Sequence, residues 1–321
     1  MKLIAGSSHL DLAMGISHEL DIPLCECKLG RFSNGEIQIE IHENIRNEEI
    51  FIIQTGLGTK ELSVNDIIME TIIMMDACKR SMAKSITLIM PLFPYSRQDK
   101  KNDSRSPISA KVIATMFEQA GMTRMVTMDL HSPQIQGFFN VPVDNIYSLP
   151  LVMDLYRTFD EYNYVIISPD AGGMKRAVKF GNTLRLPVYG MYKERNYNSL
   201  GEIDRMQLMG TSENVHGKVA LILDDMTDTC GTLINCADTL KTMGVLRCEA
   251  IVTHGVLSEL GMKRLDNTKS LARLHMSNSL PELDHPKLKY FSIDVLMSNV
   301  IRCLITGSSI SSLFQNLEHK T

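Results

Sequence analysis

Three stretches of the chain place reactive side chains where an aliphatic run stops. The segment "LILDDMTDTCGT", residues 221–232, carries Asp224 and Asp225 out of an apolar run, followed by Thr227, Asp228, Thr229, Gly231 and Thr232. Unpaired N–H groups at the start of a following helix would attract an anion, and threonine hydroxyls add neutral donors. The paired carboxylates repel phosphate but suit sugar hydroxyls or a metal, so the combination fits a sugar phosphate. A strand followed by a helix capped with Thr and Asp fits the same residues equally well. In "VTMDLHSPQIQGFF", Asp129 and His131 stand two apart, so an extended backbone turns both to one side. Such a pair can bind a divalent cation or share a proton, although a lone pair of this kind is more often a hydrogen-bonded histidine. In "ISPDAGGMKRA", Asp170 precedes Gly172 and Gly173, a step that can cradle a phosphate or simply make a tight turn.

The elements that must position these ends are legible in the hydrophobic pattern. Strand-like runs centre near Leu3, Ile52, Leu88, Val126, Ile166, Ile222 and Ile251, with helical patterns over 63–79, 108–119, 174–184 and 232–243 between some of them. This alternation predicts an α/β chain of parallel sheets covered by helices, with ligands beyond the carboxyl ends of the strands. Ile37, Ile39 and Ile41 alternate after an Asn-Gly step, predicting a half-buried strand beyond a turn. Length predicts two domains, and the prolines of "NVPVDNIYSLP" put their boundary between 140 and 150. Two charged loops remain, over 93–107 and 192–206. The second carries Lys193 and Arg195 and could close over an anion, or be a solvated turn.

Composition narrows the class. The 321 residues are 44% hydrophobic and 22% charged with net charge -4, which suits a globular core and argues against a general nucleic-acid surface. Seven cysteines without a Cys-x-x-Cys pair argue against a zinc site or a disulfide framework and for a reducing compartment. No signal-like or membrane-spanning stretch is evident, so a cytoplasmic protein is expected. A P-loop is excluded, since its Gly-Lys-Ser/Thr signature is missing.

Taken together, "RFSNGE", "FPYSRQDKK", "SRSPISAK", "MDLHSPQIQGFF", "PVDN", "SPDAGG", "KER", "DRM", "DDMTDTCGT" and "THG" occur in an order that closely resembles the ribose-phosphate diphosphokinases, over nearly the whole chain. The resemblance implies two phosphoribosyltransferase-like domains, here 1–147 and 148–321, with the last segment packing back on the first. It implies transfer of the β,γ-diphosphoryl group of Mg-ATP to ribose 5-phosphate. By the same resemblance Asp224, Asp225, Asp228, Thr229, Cys230, Gly231 and Thr232 would hold ribose 5-phosphate. Asp170, Ala171, Gly172 and Gly173 would hold the transferred diphosphate. Asp129, His131, Asp144 and Asp170 would hold magnesium. Phe32, Asn34, Gly35, Glu36, Arg97, Gln98 and Asp99 would form the ATP site, and Lys193 and Arg195 the catalytic pair. A homo-oligomer is implied, a dimer-based hexamer with active sites between domains and across subunits.

This chain also departs from the family pattern. Asn140 stands where the family often has an aspartate, either weakening a second cation or reflecting free variation at an exposed position. The loop after Arg195 is slightly longer than in common relatives. Arg46, Arg105, Ser309 and Ser311 match the regulatory phosphate site, while Asn44 replaces a serine and Cys303 the second of two arginines. Altered phosphate activation and ADP inhibition are therefore expected. Two rival functions are a non-catalytic associated subunit and a phosphoribosyltransferase. The first would have a changed "DDMTDTCGT", and the second would not need "RFSNGE" or "SRQDKK".

Overall fold

The computed structural model describes residues 1–101, 103–156, 164–195 and 203–315. The chain divides into two compact units. Unit 1 is Met1–Ser148 with Ser279–Pro281 and Ile293–Ile310; unit 2 is Leu149–Asn278 with Glu282–Ser292 and Ser311–Thr321.

Unit 1 runs β1 (Lys2–Ala5), α1 (Leu10–Leu20), β2 (Cys27–Arg31), β3 (Ile37–Ile41), β4 (Glu49–Ile53), α2 (Val64–Arg80), β5 (Ser85–Ile89), α3 (Ser109–Ala120), β6 (Arg124–Met128) and β7 (Val143–Ile146). Its main sheet has the order β1-β4-β5-β6-β7, parallel at every pairing. Strands such as "EIFII" are apolar on both faces because helices cover both sides of a parallel sheet. The alternating isoleucines of β3 pair antiparallel with β2, forming the hairpin its Asn-Gly step predicts. Phe93, Phe117 and Phe139 meet edge to face in the core, with centroids 6.3 and 5.6 Å from Phe93. The segment 140–150, within which the chain passes from unit 1 to unit 2 after Ser148, also carries β7, an edge strand whose polar Asp144 and Asn145 masked its β character.

Unit 2 holds α4 (Leu149–Tyr156), β8 (Tyr164–Ser168), α5 (Met174–Leu184), β9 (Val188–Arg195), β10 (Ile203–Leu208), β11 (Val219–Thr227), α6 (Gly231–Thr242), β12 (Arg247–Gly255), α7 (Glu259–Asn267), β13 (Leu271–Ser277) and β14 (Leu288–Phe291). Further along come α8 (Asp294–Thr306), which clusters with unit 1, and α9 (Ser312–Gln315). The sheet order is β10-β9-β8-β11-β12-β13-β14, parallel except for the β9–β10 pair. The α/β class expected from the alternation is therefore present in both units, and in both the chemistry-bearing segments follow central strands. All seven cysteines are free thiols. Among the described residues no helix is long and apolar enough to cross a membrane.

Candidate active site

In unit 2 the centre is the end of β11. Asp224 is partly buried and Asp225 is 5% exposed, so two adjacent carboxyls are held together with little access to solvent. Burial, then the neighbouring charges of Asp225 and Asp170, push the Asp224 carboxyl up to about 8. Asp225 donates its N–H to Asp224 Oδ1 at 3.0 Å, and Arg176, from the first turn of α5, lies 3.5 Å from Asp225. Nothing in the sequence motif announces Arg176. Its position six residues after Asp170 becomes meaningful only when β8 and β11 pair.

The loop after β11 ends at Cys230, which sits in the left-handed region at φ +57° and supplies no side-chain cap to α6. Cys230 thus leaves the start of α6 without a side-chain cap, and the N-terminus of a helix attracts anions. Burial pushes the Cys230 thiol up, so it is a packing group touched by Thr227 Oγ1 at 3.7 Å, not a nucleophile. The loop is held from behind. Val256 N–H donates to the Thr227 carbonyl at 2.8 Å, and Arg264 Nη1 donates to the Thr229 carbonyl at 3.2 Å.

The loop of Asp170, Ala171, Gly172 and Gly173 follows β8 and winds around its own acid. Gly173 N–H donates to Asp170 Oδ1 at 3.0 Å, and Ser168 Oγ donates to the Asp170 carbonyl at 2.7 Å. A Cβ at Gly173 would stand 2.8 Å from Ser168 Oγ, so the turn admits only glycine without movement. The structure therefore brings Asp170, Asp224, Asp225 and Arg176 into one electrostatic neighbourhood. Lys193 and Arg195 have their backbones on β9, opposite Met206 and Ile203 of β10. Their side chains lie outside the described part of the structure.

In unit 1, Asp129 ends β6 with φ +39° and is buried; its Oδ2 accepts Ser148 N–H at 3.0 Å. Asn145 Oδ1 accepts Leu130 N–H at 3.1 Å, fixing the turn between Asp129 and the exposed His131. Asp144 stands apart from this arrangement. It lies on β7 opposite Val126 and closes an ion pair with Arg124 at 2.7 Å. That pairing gives it a countercharge from within the chain. Asn140 is likewise engaged: its N–H and amide donate to the Glu118 carboxylate, the amide at 2.9 Å.

The hairpin turn bearing Phe32, Asn34, Gly35 and Glu36 joins β2 to β3. Phe32 is 51% exposed there, and Asn34 Oδ1 accepts Glu36 N–H at 3.2 Å. An aromatic face left in solvent on a rigid hairpin can stack a base. Arg97 and Gln98 are exposed and Asp99 partly buried; Gln98 N–H donates to the Tyr95 carbonyl at 2.9 Å. Of the regulatory candidates, Arg46, Arg105, Ser309 and Ser311 are exposed. Asn44 Oδ1 accepts Arg46 N–H at 3.1 Å, whereas the buried Cys303 thiol turns to the Ser309 carbonyl at 3.8 Å.

Residues 1–121 match the family described as the N-terminal domain of ribose phosphate pyrophosphokinase, and residues 200–315 match the phosphoribosyl synthetase-associated domain. A protein of Saccharomyces cerevisiae named ribose-phosphate pyrophosphokinase 4 is 43% identical over 316 residues, covering 98% of this chain and 94% of that one. Ribose-phosphate pyrophosphokinase A of Dictyostelium discoideum is 43% identical over 320 residues, 98% of each chain. The crystal structure of phosphoribosylpyrophosphate synthetase from Mycobacterium smegmatis superposes with a TM-score of 0.87 at 34% identity, covering 96% of this chain and 99% of that one. The chain belongs to the ribose-phosphate pyrophosphokinase family.

Proposed function

We propose that the chain transfers the β,γ-diphosphoryl group of ATP to the anomeric hydroxyl of ribose 5-phosphate, giving 5-phosphoribosyl 1-diphosphate and AMP for nucleotide synthesis. The observation that carries this reading is the near full-length identity to named ribose-phosphate pyrophosphokinases. The acid pair and helix start at the end of β11 supply matching chemistry. No observation favours a non-catalytic subunit.

In this reading the loop of Asp228, Thr229, Cys230, Gly231 and Thr232 binds the 5-phosphate, and Asp224 and Asp225 orient the ribose hydroxyls. A carboxyl raised to about 8 keeps a proton to donate at neutral pH, while Asp225 is balanced by Arg176. The loop 170–173 receives the diphosphate. The anomeric oxygen bonds to the β-phosphorus as the bridging oxygen leaves with AMP and the hydroxyl proton is released. Such transfers depend on positioning and charge stabilisation, which Lys193 and Arg195 would supply around the transferring group. Phe32, Asn34, Gly35 and Glu36, with Arg97, Gln98 and Asp99, would hold ATP.

Magnesium fits the donor set. Asp129, Asp144 and Asp170 offer hard carboxylate oxygens and His131 an imidazole, donors a divalent cation accepts. The described residues form no closed group of three His, Cys, Asp or Glu ligands. A cation there would rely on water and phosphate oxygens, as magnesium does. Asp129, His131, Asp144 and Asp170 would hold it, and it would neutralise phosphate charge. We further read 1–147 and 148–321 as the two phosphoribosyltransferase-like domains of a cytoplasmic homo-oligomer, a dimer-based hexamer with shared active sites. Inorganic phosphate is the proposed activator through Arg46, Arg105, Ser309 and Ser311, with a response altered by Asn44 and Cys303.

The test is to measure AMP and 5-phosphoribosyl 1-diphosphate from ATP, ribose 5-phosphate and magnesium at low and high phosphate. Equal yields of both products are expected. A folded protein that forms neither overturns the reading, and a phosphate response like that of relatives with the serine and paired arginines overturns the regulatory part.

A further inference from the structure

Helix α7 is built against the back of the loop proposed to hold ribose 5-phosphate, and no motif in the sequence marks that contact. The approach is backbone to backbone: a Cβ at Gly261 would stand 2.1 Å from the Asp228 carbonyl oxygen, so α7 reaches the loop only because this residue is glycine. One turn further along, exposed Arg264 extends over the loop. Its Nη1 donates to the Thr229 carbonyl at 3.2 Å and lies 2.9 Å from where a Cβ on Gly231 would be. Between these contacts Cys230 is held at φ +57°, a conformation that a non-glycine residue keeps only when its surroundings impose it.

We propose that Arg264 is a positioning residue for ribose 5-phosphate binding. It acts through the loop: by taking the Thr229 carbonyl on the α7 side, it holds the peptide units around Cys230 and Gly231 in the arrangement that opens the start of α6 to a phosphate. The inference rests on the function proposed above. A solvent-facing arginine that merely decorates α7 would leave substrate affinity untouched. One whose charge contacts the phosphate directly would not be replaceable by a neutral donor.

The experiment uses the full chain with Arg264→Ala, Arg264→Gln and Gly261→Ala. It reads steady-state constants for both substrates, equilibrium binding of ribose 5-phosphate by calorimetry, and thermal melting. A hydrogen bond from a charged donor is worth about a factor of ten in affinity, so Arg264→Ala raises KM and Kd for ribose 5-phosphate about tenfold. The KM for ATP and the melting temperature stay near their wild-type values. Arg264→Gln, which can still donate to the Thr229 carbonyl, recovers most of the affinity. Gly261→Ala, which pushes the loop off α7, reproduces the loss seen with Arg264→Ala. Unchanged ribose 5-phosphate affinity in Arg264→Ala overturns the proposal. Equal losses for both substrates overturn it too, and so does a glutamine variant as weak as alanine. Wild-type chain that binds ribose 5-phosphate without turnover overturns the proposed reaction while the binding comparison still decides the role of Arg264. Wild type that neither binds nor reacts overturns both.

Discussion

Replacing Asp224 by asparagine should stabilise the ligand-free protein while abolishing its activity, and the stabilisation should depend on pH in a defined direction. Burial, together with the charges of Asp225 and Asp170, raises this carboxyl to about 8, against an ordinary value of about 3.9. The native state therefore holds a proton that the unfolded chain has already lost. The stability linked to this group is fully present below the unfolded pKa of about 4, and is lost as pH rises through the folded value of about 8. Four pH units at about 1.4 kcal/mol each set a ceiling of about 5 kcal/mol. Relaxation and water entry around an ionised carboxyl absorb more than half of that, leaving about 2 kcal/mol. Asparagine keeps an acceptor for the Asp225 N–H, which lies 3.0 Å from Asp224 Oδ1, and removes only the charge.

The assay is urea unfolding of wild type and Asp224→Asn at pH 5 and pH 8.5, with chelator and without nucleotide or phosphate. Other titrating groups cancel in the difference between the two proteins. The stability of the variant relative to wild type should grow by about 2 kcal/mol between the two pH values. A difference that stays constant or shrinks would show that burial and the neighbouring carboxylates do not hold a proton on Asp224 in the free protein, and the electrostatic account of the site would fail.

Asn140→Asp places a like charge against the Glu118 carboxylate. Burial raises that carboxyl, but the hydrogen bonds from Asn140 and Val141 outweigh it and hold it below its ordinary range. The variant should lose about 1 kcal/mol at neutral pH and recover on acidification as carboxyls protonate, read by unfolding at pH 7 and pH 4. Glu249→Gln removes the charge from a fully buried carboxylate that faces His275 Nε2 at 3.0 Å and Arg247 Nε at 2.9 Å. Burial raises Glu249, but His275 and Arg247 outweigh it and lower its folded pKa. Its contribution is therefore present above the unfolded pKa and lost as pH falls through the folded one, and the variant should lose about 3 kcal/mol at neutral pH in urea unfolding. Lys193→Ala should lower turnover far more than it weakens ATP binding, a loss of about 3 kcal/mol in the barrier; equal losses in kcat and in ATP affinity would remove its catalytic role.

Much of the fold was legible because parallel strands buried on both faces read as continuous aliphatic runs, as "YVIIS" does in β8. Edge strand β7 was not, because its polar residues are satisfied by partners distant in sequence: Asp144 by Arg124, and Asn145 by the Leu130 N–H. The same distinction divides the site. Asp224, Asp225, Asp170 and the glycines announce themselves because strand-end loops concentrate reactive residue types in short segments. Arg176, Ser148 and Arg264 do not, since each reaches its partner from a different element, and only the pairing and packing of those elements bring them together.

Both units place strain where chemistry is proposed. Asp129 holds φ +39° at the end of β6, and Cys230 holds φ +57° before α6. Neither residue gains from that conformation, which ordinarily favours glycine. Each is fixed by hydrogen bonds from elsewhere in its own unit: Ser148 N–H on the Asp129 carboxylate, Arg264 on the carbonyl preceding Cys230. A residue forced into the left-handed region costs on the order of 1–3 kcal/mol, and surrounding contacts must supply that energy. Strain of this kind sits between the strand that carries the carboxylates and the segment that follows it. The braces are therefore as much a part of the binding loops as the residues that would touch substrate.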